Sequence, residues 1–135
     1  MKTVEPKFDR VMIIDDNVID LYITKRLIIK NNFGKSVFDF TSAEKALKHL
    51  KDQQERPFML PQIIFIDIYM PGMSGFEFMD SYDKLPSSIK KNCKVFIISS
   101  SIDQNDIARS DRDENLTAFQ EKPITKEFLE RINVD

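Results

Sequence analysis

The sequence predicts a doubly wound α/β domain, a parallel sheet of five short strands with helices on both faces. Three observations predict it. Short apolar runs alternate with stretches of helical length along the chain, the pattern of repeated strand–helix–strand units. The runs are apolar enough to be strands buried on both faces, as parallel strands are. Each of four runs ends on polar residues, as a buried strand emerging into a loop would. Asp15 and Asp16 close Val-Met-Ile-Ile-Asp-Asp (11–16), and Asp67 ends Ile-Ile-Phe-Ile-Asp (63–67). Ser99 ends Val-Phe-Ile-Ile-Ser (95–99), and Lys122 stands before Pro123 after Thr-Ala-Phe-Gln-Glu. In a doubly wound sheet the carboxyl ends of the strands converge on one crevice, so these polar residues are candidates for a shared site.

Residues 1–9 read as a polar lead-in, and one domain fills 10–135. The first strand is 10–14. A helix over Val18–Lys30 follows, with Asn17 placed to cap its free N–H groups. Val18, Leu21, Leu27 and Ile28 form its inward side, and Asn31-Asn32-Phe33-Gly34 ends it as a turn. Ser36–Phe40 is the second strand. Thr41-Ser-Ala-Glu44 fits a capping box, in which the Thr41 hydroxyl takes a backbone N–H and Glu44 reaches back. Ala43, Ala46, Leu47 and Leu50 then recur at the spacing of an amphipathic helix. Pro57 and Pro61 bound a loop before the third strand at 62–66. Pro71-Gly72 is a turn, and a helix runs from Gly75 to Leu85, where Pro86 halts it. The fourth strand is 94–98. Residues 103–111 have a helical pattern with Ile107 and Ala108 as nearly their sole apolar positions, so this helix is expected to be weakly anchored. Leu116–Gln120 is the fifth strand, and Thr125–Ile132 is a closing helix with Ile124, Phe128 and Ile132 inward.

Composition narrows the function. At 135 residues, 41% hydrophobic and 31% charged, the chain has the size and character of one globular domain. A net charge of −2 offers no electrostatic reason to expect nucleic acid or an anionic membrane as partner. No signal-peptide core is expected at the N-terminus, and no apolar run approaches a membrane span. The one cysteine, Cys93, excludes an internal disulfide and suits a reducing cytoplasm, the expected location. One His and one Cys give zinc no ligand set, and His49 is expected to be solvated on its helix. Asp111-x-Asp113-x-Asn115 imitates a calcium loop, but Leu116 stands where Gly is required and Lys122 where Glu is. Gly72 and Gly75 lack the lysine and hydroxyl of a phosphate loop. Phe76 and Phe78 fall on opposite sides of their helix, which leaves one of them exposed as a candidate partner surface.

The chemistry lies in the carboxylates. If the first and third strands are neighbours, Asp15, Asp16 and Asp67 come close enough to raise one another's pKa values. A hard divalent cation with oxygen ligands removes that penalty; Mg²⁺ fits best and Mn²⁺ is the alternative. A carboxylate beside such a cation can attack a phosphoryl group and form an aspartyl-phosphate. Lys122 and Ser99 supply an ammonium and a hydroxyl for the phosphoryl oxygens. Singly, each residue has a plainer role: a helix N-terminal acidic pair, a solvated strand end, a surface ion pair. Their joint occurrence at four strand ends carries the argument.

With these residues in place, the chain resembles the receiver domain of two-component response regulators, of the single-domain chemotaxis-regulator type. The matching segments are Ile-Ile-Asp-Asp-Asn (13–17), Ile-Asp-Ile-Tyr-Met-Pro-Gly-Met-Ser-Gly-Phe-Glu (66–77), Ile-Ile-Ser-Ser (97–100) and Glu-Lys-Pro-Ile (121–124). The resemblance implies a flavodoxin-like sheet of strand order 2-1-3-4-5 with five helices and the site at its switch point. It implies Asp67 as phospho-acceptor, with Mg²⁺ held by Asp16, Asp67 and the Tyr69 carbonyl directly and by Asp15 through water. It makes Ser99 the switch hydroxyl, Lys122 the phosphoryl-contacting lysine and Phe119 the aromatic switch residue, with Lys122–Pro123 cis. The phosphoryl donor would be a phosphohistidine of a histidine kinase or phosphotransfer protein. The expected protein is a stand-alone signalling regulator, not a turnover enzyme, beyond its own phosphorylation and slow dephosphorylation. Its output would be a downstream protein contact at the face of the fourth helix, fifth strand and fifth helix, or onward phosphorelay. It would be a monomer or a phosphorylation-dependent dimer, with no nucleic acid or membrane as partner.

Departures from the family pattern are small. Phe119 lacks the hydroxyl of the tyrosine often found there, Ser74 replaces a common Asp, and Asn115-Leu116 replaces Gly-Ala. Tyr69 is large and is expected to shield the phosphoryl group from water. Two other classes of function compete. An aspartyl-phosphate phosphatase would need an Asp two residues after its nucleophile, where Tyr69 stands. A phosphorylation-independent binding platform would not need the whole five-residue set.

Overall fold

A computed structural model of the chain describes residues 5–101 and 103–134. The five strands are β1 (Phe8–Ile14), β2 (Gly34–Phe40), β3 (Ile63–Asp67), β4 (Lys94–Ser99) and β5 (Leu116–Glu121). They pair in parallel in the order β2-β1-β3-β4-β5, as expected. The helices among the described residues are α1 (Val18–Lys30), α2 (Ala43–Asp52), α3 (Gly75–Asp83), α4 (Ser87–Lys90), α5 (Gln104–Asp111) and α6 (Lys126–Glu130). There is one more than expected. After Pro86 the chain makes the single turn α4, which buried Ile89 pins to the core.

Alternation along the strands divides the core in two. Met12, Ile14, Ile64, Ile66, Val95 and Ile97 face α2 and α3, against Ala46, Leu47, Leu50, Phe78, Met79 and Tyr82. Val11, Ile13, Ile63, Phe65, Phe96 and Ile98 face α1 and α6, against Leu21, Ile28, Phe128, Leu129 and Ile132. On this second face Phe65 is in ring contact with Phe33, Phe96 and Phe128, at centroid distances of 6.0, 5.6 and 6.2 Å. Strands β1, β3 and β4 are thus covered on both sides, which is why their sequences are nearly unbroken apolar runs.

Local rules explain most of the element ends. The Asn17 side chain accepts from the N–H groups of Ile19 and Asp20, so α1 begins where expected. Thr41 does not cap α2; Ser42 does, accepting from Lys45 N. The capping box sits instead at α3, where Ser74 and Glu77 satisfy each other's backbone N–H groups. Asn32 takes the left-handed turn conformation at φ 54°, and Gly34 already belongs to β2. A methyl group on Gly34 would stand 2.7 Å from Val11 Cγ2, so the absence of a side chain lets β2 and α1 close on β1.

Three other expectations are corrected. Val18 faces solvent, because Leu21 and Ile28 set the inward stripe of α1 and leave Val18 at its rim. Phe76 and Phe78 are both buried in the core, and Arg109 of α5 covers Phe76 further with its guanidinium 4.4 Å from the ring centroid. His49 is half-buried against Phe38 and Phe40, with ring centroids 5.5 and 5.4 Å away. The weak anchoring of residues 103–111 holds: in α5 Ala108 is exposed, Ile107 half-buried and Ser110 alone buried.

Candidate functional site

The register of β1 on β3 pairs Ile14 with Ile66, so the next residues, Asp15 and Asp67, leave the sheet side by side. This is the point where the strand order reverses, and the helices that follow β1 and β3 diverge there to leave a crevice. Asp15, Asp16 and Asp67 each offer a carboxylate oxygen, and these atoms lie within 4.8 Å of one another. Asp15 is 4% exposed and Asp67 9%, whereas Asp16 is open to solvent.

Lys122 crosses the crevice from the end of β5. Its Nζ lies 2.7 Å from Asp15 Oδ2, 3.0 Å from Asp20 Oδ2 and 3.4 Å from Asp67 Oδ1. Burial pulls the ammonium down, but hydrogen bonds to Asp15 and Asp20 more than offset this and hold it above the ordinary lysine range. Asp67 is pushed up to about 6, first by burial and then by the charges of Asp15 and Asp16, with Lys122 pulling the other way. One ammonium does not neutralise this many carboxylates.

Ser99 is fully buried at the end of the neighbouring strand β4. Its Oγ accepts the Ser101 N–H at 3.3 Å, and its carbonyl accepts the Lys122 N–H at 2.7 Å. Phe119 lies opposite Ile97 in β5, half-buried against the α2/α3 side of the core. The Lys122–Pro123 bond is cis. Tyr69 is 55% exposed, and its hydroxyl donates to the Asp106 carboxylate, which holds the phenol above its ordinary pKa. The fold thus brings Asp15, Asp16, Asp67 and Lys122 into one cluster, and sets Ser99 on the adjoining strand end.

Sequence reasoning missed two members of this neighbourhood. Asp20 lies in the first turn of α1, the helix that starts at the crevice after Asp16 and Asn17, and an acid so placed after Asp15-Asp16 was a signal that could have identified it. Asp106 has no such signal, because its pairing with Tyr69 depends on how α5 lies across the β3–α3 loop. Cys93 has no part in the site; its thiol packs by Tyr82, and burial pushes it up to about 12.

The donor set suits a hard cation. All the candidate ligands are oxygens, and Asp15 already spends Oδ1 on the Asn17 N–H at 2.9 Å and Oδ2 on Lys122. Asp16, at the solvent edge, and Asp67, only loosely held by Lys122, keep oxygens available. Carboxylates so placed, with Asp16 open to solvent, suit Mg²⁺.

A family model described as "Response regulator receiver domain" matches residues 11–133. Hybrid signal transduction histidine kinase C of Dictyostelium discoideum is 30% identical over 126 residues, 91% of this chain and 10% of that protein. Protein-glutamate methylesterase/protein-glutamine glutaminase 2 of Paramagnetospirillum magneticum is 26% identical over 98 residues, 73% of this chain and 25% of that protein. The chain therefore spans from a tenth to a quarter of the length of these relatives. Among solved structures, a two-component response regulator from Cytophaga hutchinsonii superposes with a TM-score of 0.84 at 29% identity, covering 90% of this chain and 91% of that one. A response regulator receiver protein from Dyadobacter fermentans gives 0.78 at 31%, covering 90% and 95%. No helix among the described residues is long and apolar enough to cross a membrane. The chain belongs to the response regulator receiver domain family of two-component signalling.

Proposed function

We propose that this chain accepts a phosphoryl group on Asp67 from the phosphohistidine of a histidine kinase or phosphotransfer protein, in a Mg²⁺-dependent reaction. The observation that carries this is the meeting of Asp15, Asp16 and Asp67 with Lys122 at one crevice. An Asp67 carboxylate oxygen attacks phosphorus, the bond from phosphorus to the donor imidazole nitrogen breaks, and that nitrogen keeps the electron pair. Asp16, Asp67 and the Tyr69 carbonyl would hold the cation directly and Asp15 through water. Bound there, the cation supplies positive charge to the transferring phosphoryl oxygens. Lys122 turns its ammonium from the carboxylates to a phosphoryl oxygen, and the Ser99 hydroxyl donates to another. Phe119 turns inward as Ser99 moves, and the face of α5, β5 and α6 changes shape for a protein partner or for onward transfer.

The surface of α1 supports a protein donor. Val18, Ile19, Tyr22, Ile23 and Ile29 are 53–68% exposed on this helix, which starts directly after Asp16 and Asn17. An apolar helix face of this kind is covered by a partner's amphipathic helix, and a donor seated there brings its imidazole to Asp67.

Intact mass after incubation with acetyl phosphate and Mg²⁺ tests the proposal. One added phosphoryl group, absent in Asp67→Ala and in metal-free buffer, is the expected result. No added mass in the wild type, together with no Mg²⁺ binding, would favour the binding platform. Ile19→Glu with Ile23→Glu is expected to block transfer from a protein donor while leaving acetyl phosphate labelling intact.

A further inference from the structure

Helix α5 buries one residue, Ser110, and has no buried apolar side chain to lock it to the sheet. Besides half-buried Ile107, its side-chain ties to the rest of the chain are polar and reach the β3–α3 loop and α3. The Tyr69 hydroxyl donates to Asp106 in the first turn. Arg109 stacks over Phe76 and lies 3.7 Å from Asp80, both on α3. At the entrance to α5, the Ser101 N–H is held by Ser99 Oγ. A helix held mainly by exposed polar contacts sits at the low-stability end of a fold and moves when those contacts change.

Two of these ties lie where a change at Asp67 would reach them. If Ser99 donates to a phosphoryl group, it turns away from the Ser101 N–H. A phosphoryl group also adds negative charge two residues before Tyr69, whose hydroxyl is bonded to the Asp106 carboxylate. Repulsion then acts on Asp103 and Asp106, the cap and first-turn acids of α5.

We propose that the Tyr69–Asp106 hydrogen bond is a strap that holds α5 in place while Asp67 is unmodified and lets it go on phosphorylation. Tyr69 is then a positioning residue for the output helix, acting through Asp106. The release rests on Asp67 being the acceptor; the strap itself does not.

Amide hydrogen exchange of peptides spanning residues 104–111, read by mass spectrometry on the full chain, tests this. Wild type, Tyr69→Phe, Asp106→Asn and the double variant are compared in Mg²⁺, each with and without beryllofluoride as the phosphoryl mimic. In the unmodified proteins each single variant is expected to exchange roughly three- to tenfold faster across α5, the scale of one charge-assisted hydrogen bond at a partly exposed site. The double variant should exchange no faster than either single one, since both remove the same bond. With beryllofluoride all four should converge. Unmodified variants that exchange like wild type, or effects that multiply in the double variant, overturn the strap. A difference that survives beryllofluoride overturns the release and leaves a purely structural bond. If acetyl phosphate adds no mass to the wild type, the acceptor role of Asp67 fails and the release with it. The unmodified comparison still decides the strap.

Discussion

Asp67→Asn tests the electrostatics of the crevice more directly than it tests signalling. Asp67 has its pKa raised from 3.8 to about 6 in the folded chain, chiefly by burial. Between about pH 4 and pH 6 the folded chain holds a proton that the unfolded chain has lost. Stability therefore falls as pH rises through that window, and the full cost of ionising Asp67 is present above it. A rise of about two pH units corresponds to a ceiling of about 3 kcal/mol. The mouth of the crevice is open to water and salt at Asp16, which reduces this to about 1–2 kcal/mol.

Asparagine cannot ionise and has nearly the same shape, and Lys122 keeps Asp15 and Asp20 when Asp67 is replaced. Without divalent cation at pH 7.5, Asp67→Asn is thus expected to be more stable than wild type by about 1–2 kcal/mol. For a domain of this size that raises Tm by roughly 3–8 °C. At pH 4.5 the gain should largely vanish, because wild-type Asp67 is then protonated as well. Saturating Mg²⁺ at pH 7.5 should also close the gap, since a cation favours the ionised carboxylates of the wild type. Urea or thermal unfolding of both proteins at the two pH values, with chelator and with Mg²⁺, supplies the measurement. An Asn variant no more stable at pH 7.5 in chelator, or equally advantaged at pH 4.5, refutes the reasoning.

Three further outcomes are expected. Lys122→Met removes the ammonium shared by Asp15, Asp20 and Asp67 and should cost about 1–3 kcal/mol in chelator, with part of the loss recovered in Mg²⁺; equal losses in both buffers, measured by urea unfolding, would contradict this. Gly75→Ala puts a methyl group 2.6 Å from the Asp67 carbonyl oxygen, so it should lower stability by about 1–3 kcal/mol and slow acetyl phosphate labelling, measured by intact mass. If Asp67 is the acceptor as proposed, Tyr69→Asn opens it to water and should shorten the phosphoryl lifetime by roughly two- to tenfold; equal half-lives after removal of acetyl phosphate would exclude a shielding role.

What could be read from the residues depended on how local the cause was. Strand ends were legible because β1, β3 and β4 are buried on both faces, so their apolar runs stop sharply at Asp15, Asp67 and Ser99. The stripe Ala43, Ala46, Leu47 and Leu50 was legible for the same reason, since one helix face meets one core. Features that depend on a second element were not. Phe76 packs in the core and is covered further by Arg109 crossing over its ring, and no periodicity within α3 records that. His49 is covered because Phe38 and Phe40 share the face of β2 that α2 lies against. The cap of α2 moved by one residue because Thr41 and Ser42 offer the same hydroxyl, and only the backbone decides between them. In the site the clustering of Asp15, Asp16, Asp67 and Lys122 was evident in the sequence, but the contact of Lys122 with Asp20 depends on where the start of α1 lies.

That contact bears on how the site changes state. Asp15, Asp16, Asp20 and Asp67 carry four negative charges when ionised, against one positive charge on Lys122. Without another cation the crevice is therefore held together by an ammonium drawn in three directions, closest to Asp15 and Asp20 and farthest from Asp67. Asp67 is the most distant of its partners, and burial raises its proton affinity. A carboxylate in that condition gains from positive charge arriving at the solvent side, where Asp16 lies open. Once that charge is supplied, Lys122 is no longer needed equally by its partners, and its 3.4 Å contact with Asp67 is the one nearest to where a phosphoryl oxygen would form. The same geometry that leaves the resting charge unbalanced keeps the lysine within reach of Asp67, the proposed acceptor.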